Sequence, residues 1–255
     1  MTSPAAADPP APGVSSRLTP RLASIAELVP ADQTFADVGT DHGLLPIALV
    51  SSGKVPFAIA IDNKEHPIQV AHNNVTRAHL HEHVSVCHGD GLDRLRPGDV
   101  QTVVMAGMGV GTILRLLRRA DLLSLGIETL VLQANGSAYA HRTLRQALPE
   151  LGFAIDDERL VEQKSGRRTR YFVAIAAIRD LAGARHPCTE ELDEFLGPAL
   201  RSCGGAVFKR FREHQESWLK NEVDGLRASG EQGPLLADKS ALLKLVQKVT
   251  DKQMM

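Results

Sequence analysis

Phe35-Ala-Asp-Val-Gly-Thr-Asp-His-Gly-Leu-Leu-Pro46 leads from a short apolar run, through a loop with two glycines, into a second apolar run of helical character. Strand, glycine loop and helix in that order form the opening unit of an open α/β sheet. In such sheets ligands bind outside the carboxyl ends of the strands, where the strand order switches. Gly39 and Gly43 lack a Cβ, so the backbone there can approach a ligand closely. Asp37 stands at the strand end, with its carboxylate expected to face the crevice. The spacing Gly39-x-x-x-Gly43 departs from the Gly-x-Gly-x-x-Gly fingerprint of dinucleotide sites, so a pyrophosphate cradle is not indicated. A looser loop rich in acids suits a ligand that carries positive charge.

Outward from this unit, short β-branched runs alternate with longer helical stretches. Strands are expected at Thr34–Val38, Phe57–Ile61, Val84–Cys87, Thr102–Met105, Thr129–Leu132, Phe153–Glu158 and Arg170–Ile178. Helices are expected at Pro20–Leu28, Leu45–Ser51, Pro67–Ala78, Gly111–Arg119 and Ala138–Leu151. Four of the early strands are continuous apolar runs, as parallel strands covered on both faces should be. The alternation argues for a doubly wound α/β sheet. Only a polar, basic turn around Glu162–Thr169 separates the last two strands, which reads as a closing hairpin. Beyond the break at Arg179–Pro187 the pattern is purely helical, at about 190–202, 205–229 and 235–251. Phe208, Phe211, Gln215, Trp218, Leu219, Val223 and Leu226 keep a near-heptad spacing, and Leu235, Leu236, Leu242, Leu243, Val246 and Val249 are placed to face them. The expected organisation is a tail over 1–16 too poor in apolar surface to fold, a ligand-binding domain over 17–180 and a helical domain over 187–255.

Composition narrows the function classes. A formal net charge of −1 gives no general affinity for nucleic acid and leaves room only for local basic patches. Three cysteines, far apart, support neither a disulfide framework nor a thiolate zinc site, and a reducing cytoplasm fits. The N-terminus lacks the pattern of a signal peptide, and no window is apolar enough for a membrane span. His66, His72, His79, His81, His83 and His88 match no standard metal-ligand spacing and read as surface residues.

Three further stretches mark strand ends, two of them with acids and one with glycines. Ala58-Ile-Ala-Ile-Asp62 ends in an acid 25 residues after Asp37, where a carboxylate can accept both hydroxyls of a ribose. In Val86-Cys-His-Gly-Asp90-Gly91-Leu92, Asp90 can hold an adenine amino group while Gly91 and Leu92 pack near the ring, although Gly-Asp-Gly also suits a plain β-turn. Val103-Val-Met-Ala-Gly107-Met108-Gly109-Val-Gly111 follows the fourth strand, and its glycines would let a flat base come close to the backbone. Convergence of such groups at one sheet edge is the usual signature of a small-molecule site.

Arg21-Leu-x-x-Ile25, Ala36-Asp-Val-Gly-Thr-Asp-His-Gly-Leu-Leu-Pro46, Ala106-Gly-Met-Gly109, Leu132-Gln-Ala-Asn135 and Phe195-Leu-Gly-Pro-Ala-Leu200 occur in this order. In them the chain resembles the bacterial tRNA adenine-22 N1-methyltransferase family over roughly residues 17–250. The resemblance implies a Rossmann-like class I methyltransferase sheet with a C-terminal all-helical, coiled-coil-like domain, S-adenosyl-L-methionine as cofactor and tRNA as partner. It implies Asp37, Gly39, Asp62, Asp90 and Gly91 around the cofactor, with Thr40, Asn63, Leu92 and Ala106 beside them, and Asp41, His42, Gly107 and Met108 near the entering adenine. Two positions depart from the family pattern: Val110 stands where a second glycine is usual, and Ala134 where proline is.

Adenine N1 has a lone pair that can attack a sulfonium methyl in line, leaving the enzyme chiefly to position and desolvate. Asp41 is the candidate to stabilise the positive ring or to take a proton from its amino group; capping the helix at Leu44 or Leu45 is the competing role. Lys164, Arg167, Arg168 and Arg170 at the hairpin, and Lys209 and Arg210 on the helical domain, are the candidate RNA contacts. Three alternatives stay open from the residues alone: a methyltransferase of another RNA or a small molecule, an RNA-binding protein with a degenerate pocket, and, more distantly, a nicotinamide oxidoreductase.

Overall fold

A computed structural model describes residues 18–166, 168–181 and 190–249. The tail at 1–16, Arg167 and the ends of the expected helical domain at 187–189 and 250–255 lie outside the described residues. Nine helices and seven strands follow in the described chain: α1 (Pro20–Leu28), β1 (Phe35–Val38), α2 (Leu44–Ser51), β2 (Ala58–Asp62), α3 (Glu65–Arg77), β3 (Val84–His88), β4 (Thr102–Gly109), α4 (Val110–Arg119), β5 (Thr129–Asn135), α5 (Ala138–Ala147), β6 (Phe153–Ser165), β7 (Arg168–Arg179), α6 (Glu191–Leu196), α7 (Pro198–Cys203), α8 (Gly205–Ala228) and α9 (Pro234–Lys248).

The strands form one sheet in the order β3-β2-β1-β4-β5-β7-β6. β1 to β5 pair in parallel, while β7 runs antiparallel to both β5 and β6. The order reverses between β1 and β4, and the switch point opens a crevice at their carboxyl ends. All four residues of β1 are buried. Ala36 and Val38 join a core with α4, α5 and the C-terminal helices, whereas Phe35 joins one with α1, α2 and α3. The alternating Cβ directions of a strand produce this division.

Several boundaries differ from the sequence expectation. β4 continues through the glycines to Gly109, and β5 continues to Asn135. A bulge between Ala106 and Met108 keeps the ladder paired, with Met108 opposite Ala134 and Gly109 opposite Asn135. The hairpin strands reach Ser165 and Arg168, so most of the expected turn is paired strand. α5 stops at Ala147 and gives way to a 3₁₀ turn at Pro149–Leu151, because Pro149 has no N–H to continue the helix. The helix expected at 190–202 is broken at Gly197, whose φ of +98° no helix accommodates.

The C-terminal helices share the sheet's core. Phe195, Leu196, Phe208, Phe211 and Leu219 are buried with Leu132, Leu144 and Ile175 of the sheet side. On the expected helical stripe, Leu242, Val246 and Val249 are buried, but Leu235 is exposed. One fully buried ion pair fastens the corner between α6 and α7. Arg145 of α5 donates through Nε to Glu158 Oε1 of β6 at 2.8 Å and through Nη1 to the carbonyls of Glu194 (2.8 Å) and Phe195 (3.2 Å). Glu158 Oε2 accepts the N–H of Ala199 at 3.1 Å. A Cβ on Gly197 would stand 2.5 Å from Glu158 Oε2 and 2.7 Å from Arg145 Nη2, so only glycine fits there.

Among the described residues no helix is long and apolar enough to cross a membrane. Among them, too, no three His, Cys, Asp or Glu residues group closely enough to hold a metal ion. The six histidines singled out in the sequence are all exposed.

Candidate active site

A cavity of about 290 Å³ lies at the carboxyl ends of β1, β2 and β4, walled by Gly39, Asp62, Asn63, Asp90, Gly91 and Met108, with Leu116 of α4 closing one side. Two glycines shape it. Gly39 (φ +76°) sits against the Met108 methyl, where a Cβ would collide. Gly91 (φ +70°) lets Leu116 approach to where a Cβ would lie 2.6 Å away. Both positive φ values are readily adopted only by glycine.

The carboxylate of Asp62 is held at the end of β2 by two backbone N–H groups: Lys64 donates to Oδ1 at 3.0 Å and Asp41 to Oδ2 at 3.3 Å. Each oxygen retains a further lone pair for a ligand hydroxyl. Asp90 also borders the cavity, but its Oδ2 takes Arg119 at 2.9 Å and Arg115 at 3.6 Å. Asp37 is buried one position inside β1 and does not line the cavity; its Oδ2 accepts the Thr40 hydroxyl at 2.7 Å. Burial pushes its pKa up to about 6; the Thr40 bond opposes the rise, and the nearby Asp62 charge adds to it. Leu92 faces the core behind the cavity, where Leu116 is the apolar wall.

Beside the cavity, loops that are separate motifs in the sequence come together. Gly107 stands at the β4 bulge with φ +77° and is exposed. Its carbonyl accepts Asn135 Nδ2 at 2.6 Å. Arg21 of α1 donates to Gln133 Oε1 at 2.8 Å and lies over the Phe172 ring, 6.0 Å from its centroid. Arg21, Gln133 and Asn135 were absent from the candidate site residues, because nothing local to α1 or β5 shows that they converge on Gly107. Asp41, also at positive φ (+55°), directs an exposed carboxylate to within 3.5 Å of His42 Nε2. The residue before α2 is Gly43 and no side chain caps this helix, so Asp41 is not its cap. His42 Nδ1 is buried without a partner.

The two family departures are accommodated. Val110 opens α4 and packs against the core, and Gly111 keeps an ordinary φ. Ala134 is buried in β5 opposite Met108. Of the basic candidates, Lys164, Arg168, Arg170, Lys209 and Arg210 are exposed. Arg210 is bound by Glu162 at 2.7 and 3.0 Å, which removes much of its charge from the surface. Arg167 lies outside the described residues.

A family model described as a methyltransferase domain matches residues 18–171. The tRNA (adenine(22)-N(1))-methyltransferase of Bacillus subtilis (strain 168) is 33% identical over 236 residues, covering 90% of this chain and 97% of that protein. The crystal structure of the B. subtilis m1A22 tRNA methyltransferase TrmK superposes with a TM-score of 0.75 at 26% identity, covering 94% of this chain and 99% of that one. A putative tRNA (m1A22) methyltransferase of Streptococcus pneumoniae, in complex with S-adenosyl-L-methionine, gives 0.75 at 28% identity, with 90% and 99% covered. With a crevice at the switch point, a closing antiparallel hairpin and a match along nearly its whole length, the chain belongs to the tRNA (adenine(22)-N(1))-methyltransferase family.

Proposed function

We propose that this protein methylates N1 of adenine 22 in tRNA, using S-adenosyl-L-methionine, in the cytoplasm. The observation that carries the reading is the direct contact between the β1 and β4 loops: Met108, on the substrate side, packs against Gly39, on the cofactor side. A base brought to Gly107–Met108 therefore meets the cavity with no intervening layer of protein.

The donor set fits the cofactor. Asp62 presents free lone pairs for a ribose diol, Asp90 an acceptor for an adenine amino group, and Leu116 with Gly91 a wall for the ring. When bound, S-adenosyl-L-methionine supplies a methyl group on a cationic sulfonium. The chain's own residues then hold the base. The bulge exposes the Gly107 backbone to a flat ring, and Asn135 fixes that bulge. The lone pair of N1 would form the new N–C bond as the methyl group's bond to sulfur breaks with its electron pair left on a neutral thioether, so that the positive charge passes to the ring. The exposed Asp41 carboxylate, whose own N–H is tied to Asp62 at the cavity wall, is the group assigned to stabilise that charge. N1 lies on the Watson–Crick edge, so the adenine has to leave its stack and pair first.

The test is transfer of labelled methyl from S-adenosyl-L-methionine to unmodified bacterial tRNA carrying A22, with the product mapped by reverse-transcription stops. A stop at A22 is expected; incorporation elsewhere, or none with cofactor binding intact, would refute the assignment. Asp41→Asn is expected to cut kcat while leaving cofactor affinity near that of the parent.

A further inference from the structure

We propose that the cavity between the sheet and α8 is a second base-binding subsite, which takes an unstacked nucleobase of the tRNA other than the methylated adenine. The inference rests on the tRNA methyltransferase reading and adds to it where the RNA strand runs beside the reacting base.

The cavity measures about 470 Å³ and lies between the carboxyl end of β5, β7 and α8. Its walls draw on scarce residues. The chain has one tryptophan and two tyrosines, and Trp218 and Tyr171 both stand here with Phe211 and His214. Tyr171 packs 5.5 Å from Phe211 and 5.2 Å from His214, ring centroid to ring centroid. Trp218 and Tyr171 are half-buried and His214 is exposed, so the rings keep open surface. Such rings stack on any base, since every base has a π face.

Two buried polar side chains, Gln215 and His141, line the same cavity. His141 is 3% exposed and its Nδ1 has no hydrogen-bond partner. A buried polar atom is costly to leave unpaired, so a ligand atom that reached Nδ1 from the cavity would gain a hydrogen bond there. Burial, reinforced by the Arg145 cation, lowers the ring's pKa to about 4, and its hydrogen bond to the Ala134 backbone opposes this. The imidazole is therefore neutral at physiological pH. In either tautomer Nδ1 of the neutral ring offers one hydrogen bond, as donor or acceptor, to the polar edge of a base. Aromatic walls with a polar point between them match a nucleobase: flat faces and a hydrogen-bonding edge.

Position selects RNA as the occupant. Asn135 lines this cavity and also holds the Gly107 carbonyl at 2.6 Å, so the cavity and the adenine mouth share a wall. Arg170, exposed on the hairpin, stands at the cavity rim with charge available for a phosphate. A strand whose adenine enters at Gly107–Met108 has this cavity beside it, across Asn135.

The single tryptophan makes the test direct. The full chain is titrated with unmodified tRNA carrying A22 while Trp218 emission is followed, alongside gel-shift binding and methyl transfer. Saturable quenching by tRNA, unchanged by S-adenosyl-L-methionine alone, is expected. Quenching should persist with tRNA abasic at position 22, because a different base fills the cavity. Quenching lost with that tRNA, while gel-shift binding remains, would put the target base itself there and overturn the proposal. So would tRNA that binds and is methylated with Trp218 emission unchanged. Absence of both tRNA binding and methylation would instead overturn the functional reading on which the subsite rests. Independently, His214→Ala and Trp218→Leu are expected to raise the KM for tRNA about tenfold or more, the usual scale for losing one stacked base, with the KM for S-adenosyl-L-methionine as in the parent. An unaltered KM for tRNA in both variants would also refute the subsite.

Discussion

Replacing Glu158 by glutamine would leave the Arg145 guanidinium buried beside a neutral amide. Both side chains are fully buried, and the pair joins three segments: α5 through Arg145, β6 through Glu158, and the α6–α7 corner through the carbonyls of Glu194 and Phe195 and the N–H of Ala199. Breaking a buried ion pair from one side costs about 3–5 kcal/mol, because the remaining charge is left uncompensated. Glutamine keeps the volume and one acceptor, so the lower figure applies, about 3 kcal/mol. For a chain of this size each kcal/mol shifts Tm by about 2–4 °C, giving a fall of roughly 6–12 °C. Thermal unfolding followed by circular dichroism reads this directly. The companion double variant Arg145→Met with Glu158→Leu removes both charges and is expected to recover part of the loss, since apolar replacements of both partners are often tolerated. A Tm for Glu158→Gln within about 2 °C of the parent, or a double variant worse than the sum of the singles, would refute the reasoning. Gly197→Ala should destabilise through the same pair, because its methyl would press on both charged groups.

Three further outcomes follow from the site. Asp37, with its pKa raised to about 6 against an ordinary 3.8, stabilises the fold fully below pH ~4, and that contribution is lost as pH rises toward 6; Asp37→Asn should thus raise the ligand-free Tm at pH 8 and change it little near pH 4, by denaturation at both values. Gly39→Ala combines about 1 kcal/mol or more of left-handed backbone strain with displacement of the Met108 methyl, so calorimetry should show weakened S-adenosyl-L-methionine binding in a folded protein. Arg168→Glu and Arg170→Glu should each weaken tRNA binding and flatten its salt dependence by about one counterion per lost phosphate contact, measured by filter binding across a salt series.

The sheet was legible because its strands are short apolar runs whose period and flanking glycines are local properties. Phe35–Val38 and Ala58–Asp62 sit within a residue of expectation. Boundaries failed where pairing overrides composition. Ala106–Gly109 reads as a glycine loop yet stays in the ladder with β5, and Lys164 and Thr169 read as a turn yet pair across the hairpin. The acids at strand ends were equally legible, but their surroundings were not: Asp37 lies behind the cavity, and Asp90 is shared with Arg115 and Arg119 of α4.

The α/β alternation, the closing hairpin, the helical appendage and the loops of the candidate site are written in the local pattern of the chain, because each depends on neighbours a few residues apart. Packing alone sets what meets across long separations. It brought Arg21 to Gln133 over 112 residues and Asn135 to the Gly107 carbonyl. It set Trp218 and Tyr171 around one cavity and buried Arg145 against Glu158 beneath Gly197. These contacts depend on how helices pack on a sheet, and no local periodicity encodes which side chains that packing brings face to face.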